Sequence, residues 1–169
     1  GQLGLWAMQS IAHGADTIVF FRWRSCVMGT EQYWHGILPH NGRPGRYYRE
    51  LKAFMQEAGP LLERLQGSVP HPEVAMLFSY DQYDALSIQP HHPHLQYPEH
   101  LLTYYSGFYR QKIPVEFVRE EDDWSSYRVL VAPLQFLMTE KLSEKFHAYV
   151  QQGGVLILDM RSGVKDATN

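Results

Sequence analysis

The sequence predicts an α/β protein in which a short run of β/α units precedes a doubly wound parallel sheet. Short apolar runs rich in Val, Leu and Ile recur along the chain, as is typical of strands buried on both faces. Segments with apolar residues at helical spacing separate most of these runs, which is the order of β/α crossover units. A stretch rich in Pro and Gly, residues 67–73, divides the chain into two parts.

The first part, residues 1–67, reads as a helix, a strand, a loop and a second helix. The opening segment has apolar residues at helical spacing, and Gly14 is a suitable helix stop. Residues 17–21 are β-branched or aromatic throughout, which predicts a buried parallel strand. A helix is expected from Arg46 to Leu65, bent or broken where Gly59 meets Pro60. Such a piece cannot close a core alone, so it predicts the tail of a larger repeating β/α structure.

The second part, residues 70–169, reads as β-α-β-β-α-β. Four apolar runs predict its strands, and the last run is expected to be a buried strand; the runs are 74–78, 115–118, 128–133 and 155–158. Residues 79–97 contain several prolines and histidines and are expected to form a long loop before a helix that begins at Pro98. Thr139 is placed to cap a second helix, which ends at Gly153. Parallel strands with crossover helices predict a doubly wound sheet.

Composition excludes several classes of function. Of the 169 residues, 44% are hydrophobic and 20% are charged, which is typical of a globular protein, and 14% are aromatic. The formal net charge of −3 gives no electrostatic reason to expect nucleic acid or an anionic membrane as a partner. The single cysteine, Cys26, excludes an internal disulfide and a CxxC metal site. No apolar run is long enough to span a bilayer and no signal peptide is visible, so we expect a cytoplasmic protein.

Large polar and aromatic side chains follow the predicted strand in the first part. Phe21 is followed by Arg22, Trp23 and Arg24, and ten residues after Phe21 comes Glu31. Such a cluster needs an explanation, because a structural loop has little use for so many bulky groups. If the larger β/α structure is a barrel, residues just past the carboxyl ends of its strands line the active site, which makes this cluster a candidate binding site.

Two stretches carry a resemblance to a known family: GQLGLWAMQSIAHGADTIVFFRWR and GTEQYWHGILPHNG. They resemble the β-galactosidases of glycoside hydrolase family 42, which have a catalytic (β/α)8 barrel followed by a trimerisation domain. The resemblance implies that residues 1–67 are the C-terminal β/α segment of the barrel, with residues 16–21 as its eighth strand. It also implies a flavodoxin-like or glutamine-amidotransferase-like trimerisation domain over residues 70–169, and hence a homotrimer. No cofactor or metal is implied for this chain.

The resemblance implies substrate-binding roles for four residues. Glu31 matches a glutamate that accepts hydrogen bonds from galactose hydroxyls, and Phe21 matches an aromatic residue that lines the sugar subsite. The family has a histidine three residues after that glutamate, where this chain has Trp34, with His35 one residue further on. If residues 31–35 form a helical turn, both side chains face roughly with Glu31, so either could reach the sugar.

The catalytic acids are expected elsewhere. Retaining glycosidases need two carboxylic acids roughly 5 to 5.5 Å apart, and in family 42 both are glutamates on earlier barrel strands. Both would precede Gly1, so this chain carries no catalytic residue. We expect the intact protein to be a retaining β-galactosidase that hydrolyses terminal β-D-galactosides, and this chain alone to be inactive.

Other roles remain open for the same residues. Glu31 could cap a helix or pair with Arg22 or Arg24, Phe21 could belong to the core, and His35 could serve packing alone. The histidines at positions 91, 92 and 94 suggest a surface loop rather than a metal site, because no carboxylate or cysteine stands at a usual companion spacing. As a whole, the chain could instead be a non-catalytic flavodoxin-like oligomerisation module. An amidotransferase-like enzyme would need a nucleophilic cysteine, which the second part lacks.

Overall fold

The computed structural model describes residues 1–166, which form two compact units that meet in the chain at Pro70 and His71. The first unit contains helix α1 (Gln2–Ala12), a short 3₁₀ helix (Thr30–Tyr33) and helix α2 (Arg46–Leu65). The second unit contains four strands and three helices in the order β1-α3-α4-β2-β3-α5-β4. No helix in the described part of the chain is long and apolar enough to cross a membrane.

Both helices predicted in the first unit are present. α1 ends where expected, and Gly14 follows it with a φ of 93°, a left-handed conformation that glycine adopts without a steric penalty. Of the expected bend or break at Pro60, the break is wrong, because α2 continues through Pro60 to Leu65, and the bend stays a prediction. Proline removes one helical hydrogen bond, and the helix accommodates this loss within its 20 residues.

The predicted strand at residues 17–21 is wrong for this chain. The segment forms no ladder, and the side chains of Val19 and Phe21 are 83% and 68% exposed. A strand is defined by hydrogen bonds to its neighbours, and the described residues offer this segment no adjacent strand. Its β-branched composition is therefore a preference for extended backbone that has no sheet to join.

The second unit is built on a four-stranded, fully parallel sheet. Its strands are β1 (Val74–Leu77), β2 (Val115–Val118), β3 (Val129–Ala132) and β4 (Val155–Leu158), in the spatial order β2-β1-β3-β4. Val74 is paired with Val115 on one side and with Val129 on the other. The predicted α/β fold with a doubly wound parallel sheet is confirmed.

Helices cover both faces of this sheet. On one face, α5 (Glu140–Gln151) packs over a core that includes Trp124. On the other face, α3 (Tyr80–Ile88) and α4 (Tyr97–Arg110) cover a second core. The predicted cap of α5 is confirmed, since the Thr139 hydroxyl accepts a hydrogen bond from the backbone N–H of Leu142 at 3.1 Å.

Two expectations for the second unit are corrected. The long loop expected over residues 79–97 contains α3, whose buried side carries Gln82 and Leu86 one turn apart. A glutamine on the buried side conceals the apolar repeat that predicts a helix. The last strand is not buried, because β4 lies at an edge of the sheet, where Val155 and Leu158 are 55% and 42% exposed.

Candidate sugar-recognition loop

The recognition loop, residues 21–36, is closed at its base by backbone hydrogen bonds. The N–H of Ile37 donates to the carbonyl of Arg22 at 2.8 Å, and the N–H of Leu38 donates to that of Trp23 at 2.7 Å. One step further, the N–H of Ser25 donates to the carbonyl of Leu38 at 2.9 Å. These bonds hold the two ends of the loop side by side and fix where its tip begins.

Ser25 and Gly36 make this closure possible. The Ser25 side chain is buried; its hydroxyl accepts from the N–H of Gly36 at 2.8 Å and donates to the carbonyl of Leu38 at 3.3 Å. A Cβ at position 36 would lie 2.7 Å from the backbone carbon of Arg24 and 2.7 Å from the nitrogen of Ser25. Only glycine allows the two backbone segments to approach this closely. The sequence gives no sign of this role for Ser25, and it marks Gly36 only as a loop glycine, as it does Gly29.

Glu31 lies in the 3₁₀ helix and forms an ion pair with Arg22. Its Oε2 is 2.7 Å from Nη2 of Arg22. The Glu31 side chain is 43% exposed and the Arg22 side chain is 24% exposed. An ion pair this exposed contributes at most about 1 kcal/mol to folding, because solvent screens it and the side chains lose rotamer freedom. The salt-bridged position that the sequence left open for Glu31 is the one observed. It does not exclude a bound sugar, because the carboxylate remains accessible.

Phe21 stands at the exposed start of the loop. Its ring is 68% exposed, so it is not part of a core in the described residues, and the peptide bond to Arg22 is cis. The Arg22 guanidinium carbon lies 4.9 Å from the centre of the Phe21 ring, within the range of a cation–π contact. Phe21, Arg22 and Glu31 are therefore in contact as a row, with the arginine in the middle.

The backbone N–H of Trp34 donates to the carbonyl of Glu31 at 3.0 Å and closes the last turn of the 3₁₀ helix, and His35 follows it. The helix ends at Tyr33, and Trp34 has extended backbone angles, with φ −85° and ψ 143°. The 3₁₀ helix does not continue to residue 35, so the predicted helical turn over residues 31–35 does not form as a whole. Both residues are exposed, Trp34 by 60%, and which of the two contacts the sugar stays a prediction.

Arg24 has a different role from Arg22. Its Nη2 donates to the backbone carbonyl of His40 at 2.9 Å. Its guanidinium carbon would lie 3.6 Å from a Cβ added at Gly42. The His40 ring in turn bonds to the carbonyl of Gln32. Arg24 thus ties the loop to the segment that leads into α2 and supports its shape.

The loop carries groups of the kind that suit a sugar, but it holds no pair of catalytic acids. Glu31 is the one Asp or Glu in the sequence between Phe21 and Gly45. A retaining glycosidase needs two such groups in one site. An ionised carboxylate beside an exposed aromatic ring provides a strong hydrogen-bond acceptor and an apolar face, the two contacts that a sugar ring accepts.

In the second unit, the carboxyl ends of the strands are occupied by the chain itself. Doubly wound sheets bind ligands at this edge. Here Phe136 is buried there, Gln82 bonds both the N–H and the carbonyl of Leu137, and Asp159 accepts the N–H of Leu134 at 2.7 Å. Asp159 also bonds the ring of His100. The polar groups of Gln82 and Asp159 are thus satisfied within the chain, which favours a structural role for this unit.

No metal-binding cluster is formed by the residues that the structure describes, counting groups of three or more His, Cys, Asp or Glu. The histidines at positions 91, 92 and 94 lie on an exposed loop after α3. His91 bonds to Arg161, and the rings of His92 and His94 are 5.3 Å apart.

Two family models match the chain. Residues 1–60 match the model described as β-galactosidase, and residues 72–169 match the model described as β-galactosidase trimerisation domain. The two matches together cover most of the chain, and the boundary between the two structural units falls in the gap between them, residues 61–71.

Curated proteins and solved structures give the same relationship. The β-galactosidase Bga of Halorubrum lacusprofundi is 36% identical over 169 residues, and BgaA of Clostridium cellulovorans is 32% identical over 169 residues. Each alignment covers 100% of this chain but only 24% and 26% of the respective relative. The crystal structure of a β-galactosidase from Bacillus circulans sp. alkalophilus superposes with a TM-score of 0.89 at 29% identity, over 96% of this chain and 24% of that one. The chain therefore spans about a quarter of the length of the relatives it matches.

Proposed function

Because the chain belongs to the β-galactosidases of glycoside hydrolase family 42, we propose that it supplies sugar recognition and assembly to a retaining β-galactosidase. In this proposal residues 1–67 are the C-terminal β/α segment of the catalytic barrel, and residues 70–169 are the trimerisation domain. The substrate is a terminal β-D-galactoside, and both catalytic glutamates lie outside this chain. No cofactor is part of the proposed reaction, and the proposed compartment is the cytoplasm.

The observation that carries the recognition role is the placement of Glu31. The closed base of the loop fixes its position, the ion pair with Arg22 orients its carboxylate, and nearly half of its side chain remains open to a ligand. The exposed ring of Phe21 lies on the other side of Arg22. We assign Glu31 and Phe21 to the sugar subsite, with Trp34 or His35 completing it.

Kinetics of the intact enzyme test this assignment. Glu31→Gln keeps the shape of the side chain but removes its charge, and charge-assisted hydrogen bonds are roughly twice as strong as neutral ones. We expect KM for a chromogenic β-galactoside to rise at least about tenfold, which corresponds to roughly 1.4 kcal/mol. Glu144→Gln, at an exposed position on α5, is the matched control and should leave KM unchanged. The 169-residue chain alone should release no chromophore; turnover by it that survives Glu31→Ala would refute the division of roles.

The assembly role is proposed for the second unit, as a homotrimer. An aromatic stripe lies at the outer edge of its sheet: Tyr105 stacks on Tyr109 at 6.0 Å and on Phe117 of β2 at 5.8 Å. Tyr109 and Phe117 are 54% and 50% exposed. Tyr and Phe are enriched in the cores of protein interfaces. In doubly wound sheets with the spatial strand order 2-1-3-4-5, a fifth strand pairs with the fourth strand, and the second strand remains at the edge of the sheet. These features support a second copy of the protein as the partner of the stripe.

Sedimentation tests the assembly. We expect the intact protein to sediment as a trimer and Tyr109→Glu to shift it toward the monomer, because burying a carboxylate in an apolar contact is costly. Ile88→Glu places the same charge at a position that is 84% exposed and lies outside the stripe, and it should leave the trimer intact. A wild-type protein that sediments as a monomer would refute the assembly role.

The alternative is a non-catalytic flavodoxin-like oligomerisation module. The filled edge of the sheet, with Gln82 and Asp159 both satisfied within the chain, favours it for the second unit taken alone. The coding sequence before Gly1 distinguishes the two functions. A β-galactosidase requires two strand-end glutamates encoded there, whereas the module requires none.

A further inference from the structure

We propose that Arg22 is a positioning residue that presents the Glu31 carboxylate to the sugar. This inference rests on the proposed recognition role of Glu31 and extends it to the residue that orients it. Arg22 acts through Glu31 and does not itself need to touch the substrate.

The backbone of Arg22 is held in place by the opposite segment of the recognition loop. Its carbonyl accepts the N–H of Ile37 at 2.8 Å, one of the bonds that close the recognition loop. A Cβ at Gly36 would lie 2.9 Å from the same carbonyl, so the opposite segment passes directly beside it. The guanidinium is therefore projected from a backbone that is held by its neighbours.

The side chain of Arg22 is held from two sides. The ring of Phe21 lies 4.9 Å from its guanidinium carbon, and Glu31 Oε2 lies 2.7 Å from Nη2. A planar guanidinium can stack on an aromatic face and pair with a carboxylate at once, which a lysine ammonium does less well. The arginine thus links the aromatic and the acidic parts of the proposed subsite and sets their spacing.

The ion pair uses one side of the carboxylate. It is formed by Oε2 of Glu31, and the Glu31 side chain remains 43% exposed, which leaves the carboxylate accessible to a ligand. A carboxylate with one oxygen anchored loses rotational freedom before the ligand arrives, so less entropy is lost when a hydroxyl binds the other oxygen. This is the physical benefit that Arg22 gives to recognition.

Local stability alone does not account for Arg22. Its Nη1 is buried and has no hydrogen-bond partner within the described part of the chain. Leaving a buried donor unsatisfied is unfavourable, whereas Arg24, two residues away, has its guanidinium bonded to the carbonyl of His40. Arg22 is held in a position that is poor for its own hydrogen bonding and good for orienting Glu31, which indicates a functional reason for its place.

The test is a double-mutant cycle in the intact enzyme, with KM and kcat measured for a chromogenic β-galactoside. Arg22→Met should raise KM about tenfold and lower kcat less than about threefold, because binding is lost and the acids are untouched. In the Glu31→Gln background the same change should add less than about twofold, since the residue it positions is already impaired. Arg22→Lys should recover part of the loss, because an ammonium still pairs with the carboxylate but does not fix its plane.

Arg43→Met is the control, since Arg43 is exposed and its side chain makes no ion pair in the described residues; it should match wild type. Independent effects of Arg22→Met and Glu31→Gln on KM, or a KM unchanged by Arg22→Met, would overturn the inference while leaving the function of Glu31 intact. If Arg22→Met lowers the melting temperature, the comparison is made with Arg22→Lys. A KM equal to wild type in that folded variant would also overturn the inference. If Glu31→Gln itself leaves KM unchanged, the proposed function and this inference fail together.

Discussion

Gln82 is the buried polar residue whose replacement should affect the second unit most strongly. It is 1% exposed, and its amide group donates to the carbonyl of Leu137 at 2.9 Å and accepts from the N–H of Leu137 at 2.8 Å. This pair of bonds fastens α3 to the segment that follows β3. Gln82→Met keeps a side chain of similar length and volume but removes both hydrogen bonds.

The expected loss follows from the partners that remain. The two hydrogen bonds are worth about 1 kcal/mol each. The carbonyl of Leu137 keeps a second donor, the amide of Gln135 at 3.0 Å, but the N–H of Leu137 is left without a partner. Because the site is part-buried, that unpaired donor costs about 1 kcal/mol, at the low end of the usual range. We therefore expect Gln82→Met to lower the free energy of unfolding by about 3 kcal/mol.

Chemical denaturation and amide exchange measure this effect. Gln89→Met changes an exposed glutamine just after the same helix and should alter the free energy of unfolding by less than about 0.5 kcal/mol. Hydrogen exchange at the Leu137 amide should accelerate in Gln82→Met and not in Gln89→Met. A loss below about 1 kcal/mol for Gln82→Met, with unchanged exchange at Leu137, would show that these two bonds do not hold the helix.

Two further predictions concern the recognition loop and the acidic turn after β2. Gly36→Ala should destabilise the first unit by about 1–3 kcal/mol, because its Cβ meets backbone atoms rather than a movable side chain, whereas Gly59→Ala, with open space around it, should be neutral or stabilising in thermal unfolding. The Arg119 side chain, through its hydrogen bond and charge, lowers the pKa of the Asp122 carboxyl below its ordinary value. The pair therefore stabilises the fold above the unfolded-state pKa and loses this contribution as pH falls through the lowered folded-state pKa. Asp122→Asn should reduce the acid dependence of the melting temperature between about pH 5 and pH 3, and an unchanged dependence would contradict the assignment.

The sheet of the second unit could be predicted because its signal is local. Each of the four strands is a short apolar run bounded by turn residues, and all four form where the runs stand. Their burial could not be predicted in the same way. Val155 and Leu158 are as apolar as the residues of β1, yet they lie at an edge because burial depends on which strand comes next in space.

The failures have specific physical causes. The sequence does not predict α3 because the buried side of this helix carries a polar residue, Gln82. Gln82 can be buried only because it forms a hydrogen bond with Leu137, which is 55 residues away in the sequence. Residues 17–21 were assigned to a strand because their composition favours extended backbone. Composition cannot supply the neighbouring strand that completes a ladder, so local preference and actual structure diverge there.

The candidate site also shows what the sequence alone could not predict. The sequence offered two roles for Glu31, an ion pair with Arg22 and a contact with sugar, as alternatives. In the structure one oxygen of the carboxylate is engaged by Arg22 at 2.7 Å while the side chain stays 43% exposed, so one residue can serve both roles at once. Sequence spacing could not reveal this, because the two residues are brought together by the closure of a loop through Ser25 and Gly36. An ion pair at a predicted binding residue is therefore no argument against binding; in the proposed role, it gives a flexible carboxylate one orientation.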